Sequence, residues 1–227
     1  NHNLQPIEKE VHTIEWDAEA AEKDGFEHFM LKEIFEQPEV FKKTLAGRIQ
    51  DNKVQFDDFA LTAEQIKQWK KIYIVACGTA YHAGLVGKQV IEKLARIPVE
   101  VEIASEFRYR DPMLDENTLV IVISQSGETA DTVAALREAK ARGSKVLAIT
   151  NVVGSAIARE ADYVIYIWAG PEISVASTKA YTTMLIAEYL LGVYLAQQMQ
   201  TYDAAKLADI LEGLQQLPEL AKQMLTD

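Results

Sequence analysis

The sequence predicts an α/β three-layer sandwich, with a central parallel sheet of about five strands, helices on both faces and a helical lead-in. Three observations carry this expectation. Short apolar runs at IYIVAC (72–77), TLVIVI (118–123), KVLAIT (145–150) and YVIYIW (163–168) alternate with helical segments. The run at 118–123 is continuously apolar after Thr118, as a strand buried on both faces requires. By contrast, VEVEI (99–103) alternates with period two, which places it at a half-exposed sheet edge.

In chain order, residues 1–23 are polar, with no sustained period beyond a short alternation at VHTIEW (11–16), and read as an interdomain linker. Phe26, Phe29, Met30, Ile34 and Phe35 then recur at three- and four-residue steps, so a helix is expected with Asp24 as its N-cap. Pro38 restricts Gln37, ends that helix and opens a second one running to about Arg48. Thr62-Ala-Glu-Gln is a capping-box pattern that starts a third helix, through Trp69. Residues 24–70 thus form a helical lead-in, and 71–200 carry the strand–helix series. Within it, one helix runs to about Arg96, and another spans 129–142 and stops at Gly143. From about Val175 the chain is expected to be helical. An apolar helix reaches about Met199, and 201–227 form an amphipathic connection that Pro218 breaks or restarts.

Composition excludes several function classes. A net charge of −11 is unsuited to a nucleic-acid surface, which needs clustered Lys and Arg. The single cysteine, Cys77, leaves no internal disulfide and fits a reducing compartment. AYTTMLIAEYLLGVYLA (180–196) is short for a membrane span and carries Glu188 at its centre, so it reads as a buried soluble helix. The N-terminus is polar and shows no signal peptide. The absence of an initiator Met is expected of an excised piece of a longer chain or of a processed N-terminus.

Three strands finish in small polar residues: VACGTA (75–80), VISQSGET (122–129) and AITN (148–151). In a parallel sheet these ends share one edge, where open α/β proteins bind ligands. The SQSGET turn has the strongest anion chemistry. Gly127 allows close backbone approach, the following helix offers unpaired N–H groups, and Ser124, Gln125, Ser126 and Thr129 add uncharged donors. Each hydrogen bond to a charged oxygen contributes about 1.5–3 kcal/mol, so four or five hold a phosphate without Lys or Arg. No Walker motif or dinucleotide fingerprint is present. The same residues also suit a plain capped helix, with Ser126 or Thr129 as N-cap and Glu128 favourable at the dipole end; beside a phosphate, Glu128 is expected to point away.

SQSGET (124–129), preceded by CGTAYHAG (77–84) and followed by PEISVASTKAYTT (171–183), resembles the sugar isomerase (SIS) domain. With FEHFMLKEIFEQP (26–38), the resemblance narrows to the glucosamine-6-phosphate synthase (glutamine–fructose-6-phosphate aminotransferase) family. It runs from about Ile14 to Asp227, and four separated motifs in order make it specific. The resemblance implies an SIS-type sandwich that forms the first of two SIS domains, which a glutaminase domain precedes in the full enzyme. It implies a sugar-phosphate ligand, fructose 6-phosphate or glucosamine 6-phosphate, a cytoplasmic homodimer, and no metal or organic cofactor. Carried over by position, the substrate contacts are Thr79, Ala80, Ser124, Gln125, Ser126, Thr129, Val175 and Ser177. Family members commonly have Ser where Ala80 stands, so a hydroxyl contact is lost there. No catalytic residue of the family maps onto this chain. Ring opening and proton transfer belong to the second SIS domain, the C-terminal tail and a neighbouring subunit, so the chain alone is expected to bind without turnover.

The remaining candidates read as structural. Cys77 is expected to be packed, with His82 on the following helix. His28 reads as a helix-surface residue, and His2 and His12 lack metal-ligand spacing. Trp16, Trp69 and Trp168 are expected to pack. Lys179, a cation at a helix start, points to a contact with a ligand or a neighbour. Two rival readings are a non-catalytic SIS module that senses sugar phosphates and an SIS isomerase for another phosphosugar. The first is disfavoured by the acidic lead-in DAEAAEKDGFEH (17–28), where a basic helix-turn-helix would be expected, and the second by the KEIFEQP segment.

Overall fold

A computed structural model describes residues 22–226. Most of the 1–23 linker, with His2, His12 and Trp16, lies outside the described residues. The lead-in holds helices α1 (Phe29–Phe35) and α2 (Gln37–Leu45), a two-stranded hairpin of β1 (Ile49–Gln50) and β2 (Lys53–Val54), and α3 (Ala63–Gln68). The strand–helix series follows: β3 (Lys71–Ala76), α4 (Gly78–Ala95), β4 (Val99–Ile103), α5 (Ala104–Tyr109), β5 (Thr118–Ser124), α6 (Ala130–Ala141), β6 (Lys145–Thr150), α7 (Ala156–Glu160) and β7 (Tyr163–Tyr166). Two long helices, α8 (Lys179–Met199) and α9 (Ala204–Thr226), close the chain.

The main sheet has the order β4-β3-β5-β6-β7, all parallel, with VEVEI at an edge as its alternation implies. β5 is buried along its whole length. Successive residues feed opposite layers. Ile72, Ile74, Leu119, Ile121, Leu147 and Ile149 enter a core shared with α2, α3, α4, α8 and α9. Tyr73, Val75, Val120, Val122, Val146 and Ala148 enter a second core under α5, α6 and α7. Because α4 covers one face and α6 the other, the connections from β3 and β5 leave in opposite directions, which makes the gap between these strands the topological switch point.

α4 and α8 pack closely through small residues. A Cβ on Gly192 would meet Val90 Cγ1 at 2.7 Å, and one on Gly87 would meet Glu188 Oε1 at 2.2 Å. Gly87 thereby leaves room for Glu188, which is 1% exposed and has both carboxylate oxygens without a hydrogen-bond partner. Burial pushes its carboxyl well above the usual 4.5. No helix among the described residues is long and apolar enough to cross a membrane.

Several expectations are corrected. The first helix begins at Phe29 with His28 at its N-cap. Asp24 instead takes φ 48° in the turn before it and pairs with Lys32 Nζ at 2.8 Å. The hairpin at 49–54 was not foreseen: its strands are too short to show a period, and the turn residues Asp51 (φ 50°) and Asn52 (φ 57°) take the left-handed pair of a type I′ turn. Residues 175–178 are not helical, since α8 starts at Lys179. Pro218 neither breaks nor restarts α9, which continues through it with Pro218 buried. Trp69 is buried as expected, whereas Trp168 is half-exposed, with φ 50°.

Candidate functional site

Two strand–helix junctions build the site. After β3, α4 starts with Cys77 at its N-cap position and no side-chain cap. After β5, α6 starts with Thr129 at the N-cap, again with no side-chain cap. An α-helix leaves its first N–H groups without intrahelical partners, so two sets of backbone donors and two positive dipole ends meet at the switch point. The fork between them opens a pocket of about 230 Å³. Thr79 and Ala80 line it from the first junction, and Ser124, Gln125, Ser126 and Thr129 from the second. Val175 and Ser177 reach it from the segment between β7 and α8. The fold therefore brings all eight sequence-predicted residues to one wall.

The SQSGET turn is held by its own hydrogen bonds. Gly127 N–H donates to Ser124 Oγ at 3.1 Å, and Glu128 N–H donates to Ser126 Oγ at 3.2 Å. Ser124 Oγ lies 3.1 Å from Thr129 Oγ1, with either able to donate. Two amides of the turn are thus consumed internally, so the cradle has fewer donors than the sequence implied. A hydroxyl that accepts still has its own proton to give, which leaves Ser126 O–H, one of the Ser124–Thr129 pair, the Gln125 amide and the first N–H groups of α6. The side chains of Thr79 and Gln125 have no hydrogen-bond partner among the described residues. Glu128 turns away as expected: its Oε1 accepts the Ala156 N–H at 2.7 Å, at the start of α7.

Other positions depart from the sequence reading. Cys77 is half-buried and lines the pocket, because it sits at the helix start where the strand's burial ends. The AITN end is not in the wall. Asn151 is committed to the chain after β7, donating to Gly170 O at 2.6 Å and accepting from Ala169 N at 2.8 Å. α7, which follows β6, packs into the same layer as α6, so no fork opens at that strand end. Lys179 makes the neighbour contact, donating to Glu36 Oε2 at 2.6 Å. His82 lies exposed on α4, outside the wall.

Sequence reasoning missed Glu172 and Thr132. Glu172 lines the pocket and caps α8, its Oε1 accepting from Thr178 N at 2.9 Å and Ala180 N at 3.1 Å. Its Oε2 accepts the Ser177 hydroxyl at 2.9 Å, so Ser177 presents acceptor lone pairs to the pocket. The one signal was a helix opening on Lys179 with no acid in its first turn, which leaves its N–H groups in need of an acceptor from outside. Thr132 lines the same wall with its buried Oγ1 unpartnered. No Lys or Arg lines the pocket among the described residues.

A parallel sandwich with a pocket at its switch point places the protein among the open α/β folds, whose ligand crevices lie at the carboxyl ends of the strands. The chain belongs to the SIS domain family, which matches residues 65–194. It is 61% identical over 222 residues to the isomerizing glutamine–fructose-6-phosphate aminotransferase of Clostridium acetobutylicum, an alignment that covers 97% of this chain and 36% of that protein. The enzyme of the same name from Mycolicibacterium smegmatis is 52% identical over 217 residues, covering 96% of this chain and 34% of the relative. The chain thus spans about a third of the length of these relatives. Among solved structures, the C-terminal domain of glucosamine-fructose-6-phosphate aminotransferase from Francisella tularensis superposes with a TM-score of 0.82 and 43% identity, covering 88% of this chain and 56% of that one. Glucosamine-6-phosphate deaminase from Thermotoga maritima shares the fold, with a TM-score of 0.64, 21% identity, and coverage of 85% of this chain and 54% of that one.

Proposed function

We propose that the pocket binds fructose 6-phosphate, with the phosphate at the SQSGET turn and the start of α6, and the sugar toward Thr79, Ala80 and the 172–177 segment. The observation that carries this reading is the meeting of two helix N-termini without side-chain caps with a ring of hydroxyl and amide donors. Oriented dipoles and neutral donors suit a compact dianion on an otherwise acidic protein. Within a longer chain, the domain serves an isomerizing glutamine–fructose-6-phosphate aminotransferase, the activity in the names of its relatives. That enzyme converts fructose 6-phosphate and glutamine to glucosamine 6-phosphate and glutamate, with a glutaminase domain and a second SIS domain supplying the catalytic groups. A cytoplasmic homodimer fits this role, and α1 exposes Met30, Leu31 and Phe35 as apolar surface for assembly.

Titrating the chain with fructose 6-phosphate, glucosamine 6-phosphate and unphosphorylated fructose tests the reading. Only the phosphorylated sugars are expected to bind, and Ser126→Ala is expected to weaken them about tenfold or more. Fructose binding as tightly as its phosphate would remove the cradle. Formation of glucosamine 6-phosphate by this chain alone would show that the catalytic groups lie within it.

A further inference from the structure

The segment between β7 and α8 forms neither helix nor strand, yet it supplies Glu172, Ser174, Val175 and Ser177 to the pocket wall. Such a segment needs external partners for its backbone groups if it is to hold one shape. Glu172 holds its C-terminal half from within. The other half is held from the lead-in, 140 residues away in sequence. Glu33 Oε1 accepts the N–H groups of Ile173 at 2.6 Å and Ser174 at 3.1 Å, and Oε2 accepts the Ser174 hydroxyl.

Glu33 is 2% exposed, although it lies on a short helix with several exposed apolar residues. A carboxylate is buried at a cost unless donors surround it, and here all three donors belong to the pocket segment. One helical turn on, Glu36 accepts from Lys179 at the start of α8 and lies 3.8 Å from Lys32 Nζ. α1 and its C-cap residue Glu36 therefore hold the stretch that walls the sugar side of the pocket and the helix start that follows it.

We propose that Glu33 is a positioning residue for the sugar-phosphate site, fixing the Ile173–Ser174 backbone so that the 172–177 wall keeps the shape that accepts the sugar. The inference rests on the reading of the pocket as a fructose 6-phosphate site, and it assigns to the lead-in helix a role in ligand selection. The phosphate end, built by the SQSGET turn and α6, does not depend on Glu33.

The test compares fructose 6-phosphate with inorganic phosphate on the full chain by calorimetric titration, with thermal melts of each variant. Glu33→Gln is expected to weaken fructose 6-phosphate roughly tenfold while leaving inorganic phosphate within about twofold, because it removes charge-assisted bonds only on the sugar side. Ser174→Ala, which deletes one of the three bonds together with the hydroxyl's contact to Ala176 O, is expected to give a smaller loss of the same selective kind. Unchanged affinity for both ligands, or equal loss of both, would overturn the proposal. Where Glu33→Gln fails to fold, Ser174→Ala decides by the same criterion. Ser126→Ala is the separating control, since it should weaken both ligands. A wild-type chain that binds neither ligand would overturn the pocket reading itself, and this inference with it.

Discussion

At Gly127 the backbone takes φ 66°, and a Cβ built there would lie 2.1 Å from Ser155 Oγ and 2.5 Å from Ser155 Cβ. Gly127→Ala therefore combines left-handed strain of about 1–2 kcal/mol with a clash against a buried neighbour. The expected result is a lower melting temperature and loss of fructose 6-phosphate binding, and an unaltered thermal melt would show that the turn relaxes freely. At this scale the sequence was most informative. Ser124, Gln125, Ser126 and Thr129 were legible because a strand, a turn and a helix start are local features, readable within a dozen residues. Glu33 was not, since its partners lie 140 residues away and only the tertiary fold brings them near, and Glu172 was not, since its partners five to eight residues on are gathered by an irregular segment with no period to read. Thr132 sits among small residues of a helix and gave no sign that its hydroxyl would be left unpartnered in the wall.

Among the elements, α9 holds the clearest conflict between local preference and tertiary packing. Pro218 has no N–H to offer the preceding turn, yet the helix runs on, with Leu207, Leu211 and Leu214 buried along the same stripe. Continuous burial of that stripe outweighs the missing bond. Pro218→Ala is expected to raise stability by up to ~3 kcal/mol, less whatever the proline ring contributes in packing, as read by urea denaturation. A drop in stability would mean that the ring's contacts matter more than the backbone bond. The same competition explains what periodicity missed: α5 and α7 span six and five residues, too few to display a helical stripe. The parallel strands were legible because burial on both faces writes an unbroken apolar run. Their order in the sheet, and hence which strand ends share a fork, is a property of the connections, and for that reason AITN was misplaced.

For the molecule as a whole, Glu188 links the core to pH. Its carboxyl keeps a proton in the folded chain above 4.5, where the unfolded chain has released it, because burial raises the folded value. The unfolded state then binds fewer protons, so stability falls as pH rises from about 4.5 through the folded-state value. Glu188→Gln is expected to flatten this decline in melts between pH 5 and pH 9. Glu188→Met, which removes two unpartnered buried oxygens, is expected to stabilise by roughly 1–3 kcal/mol at neutral pH. Equal pH slopes for the wild type and Glu188→Gln would place the dependence elsewhere.

The absence of Lys and Arg from the pocket wall among the described residues has a kinetic side. A basic cleft draws anions from a distance and loses that reach as ions crowd around it, whereas neutral dipoles act only over short range. Here the pocket lends an anion no long-range attraction on a chain of net charge −11, so selection rests on shape and bonding at contact. Such a site gives up speed of capture, and polyanions gain no advantage over a single small phosphate ester.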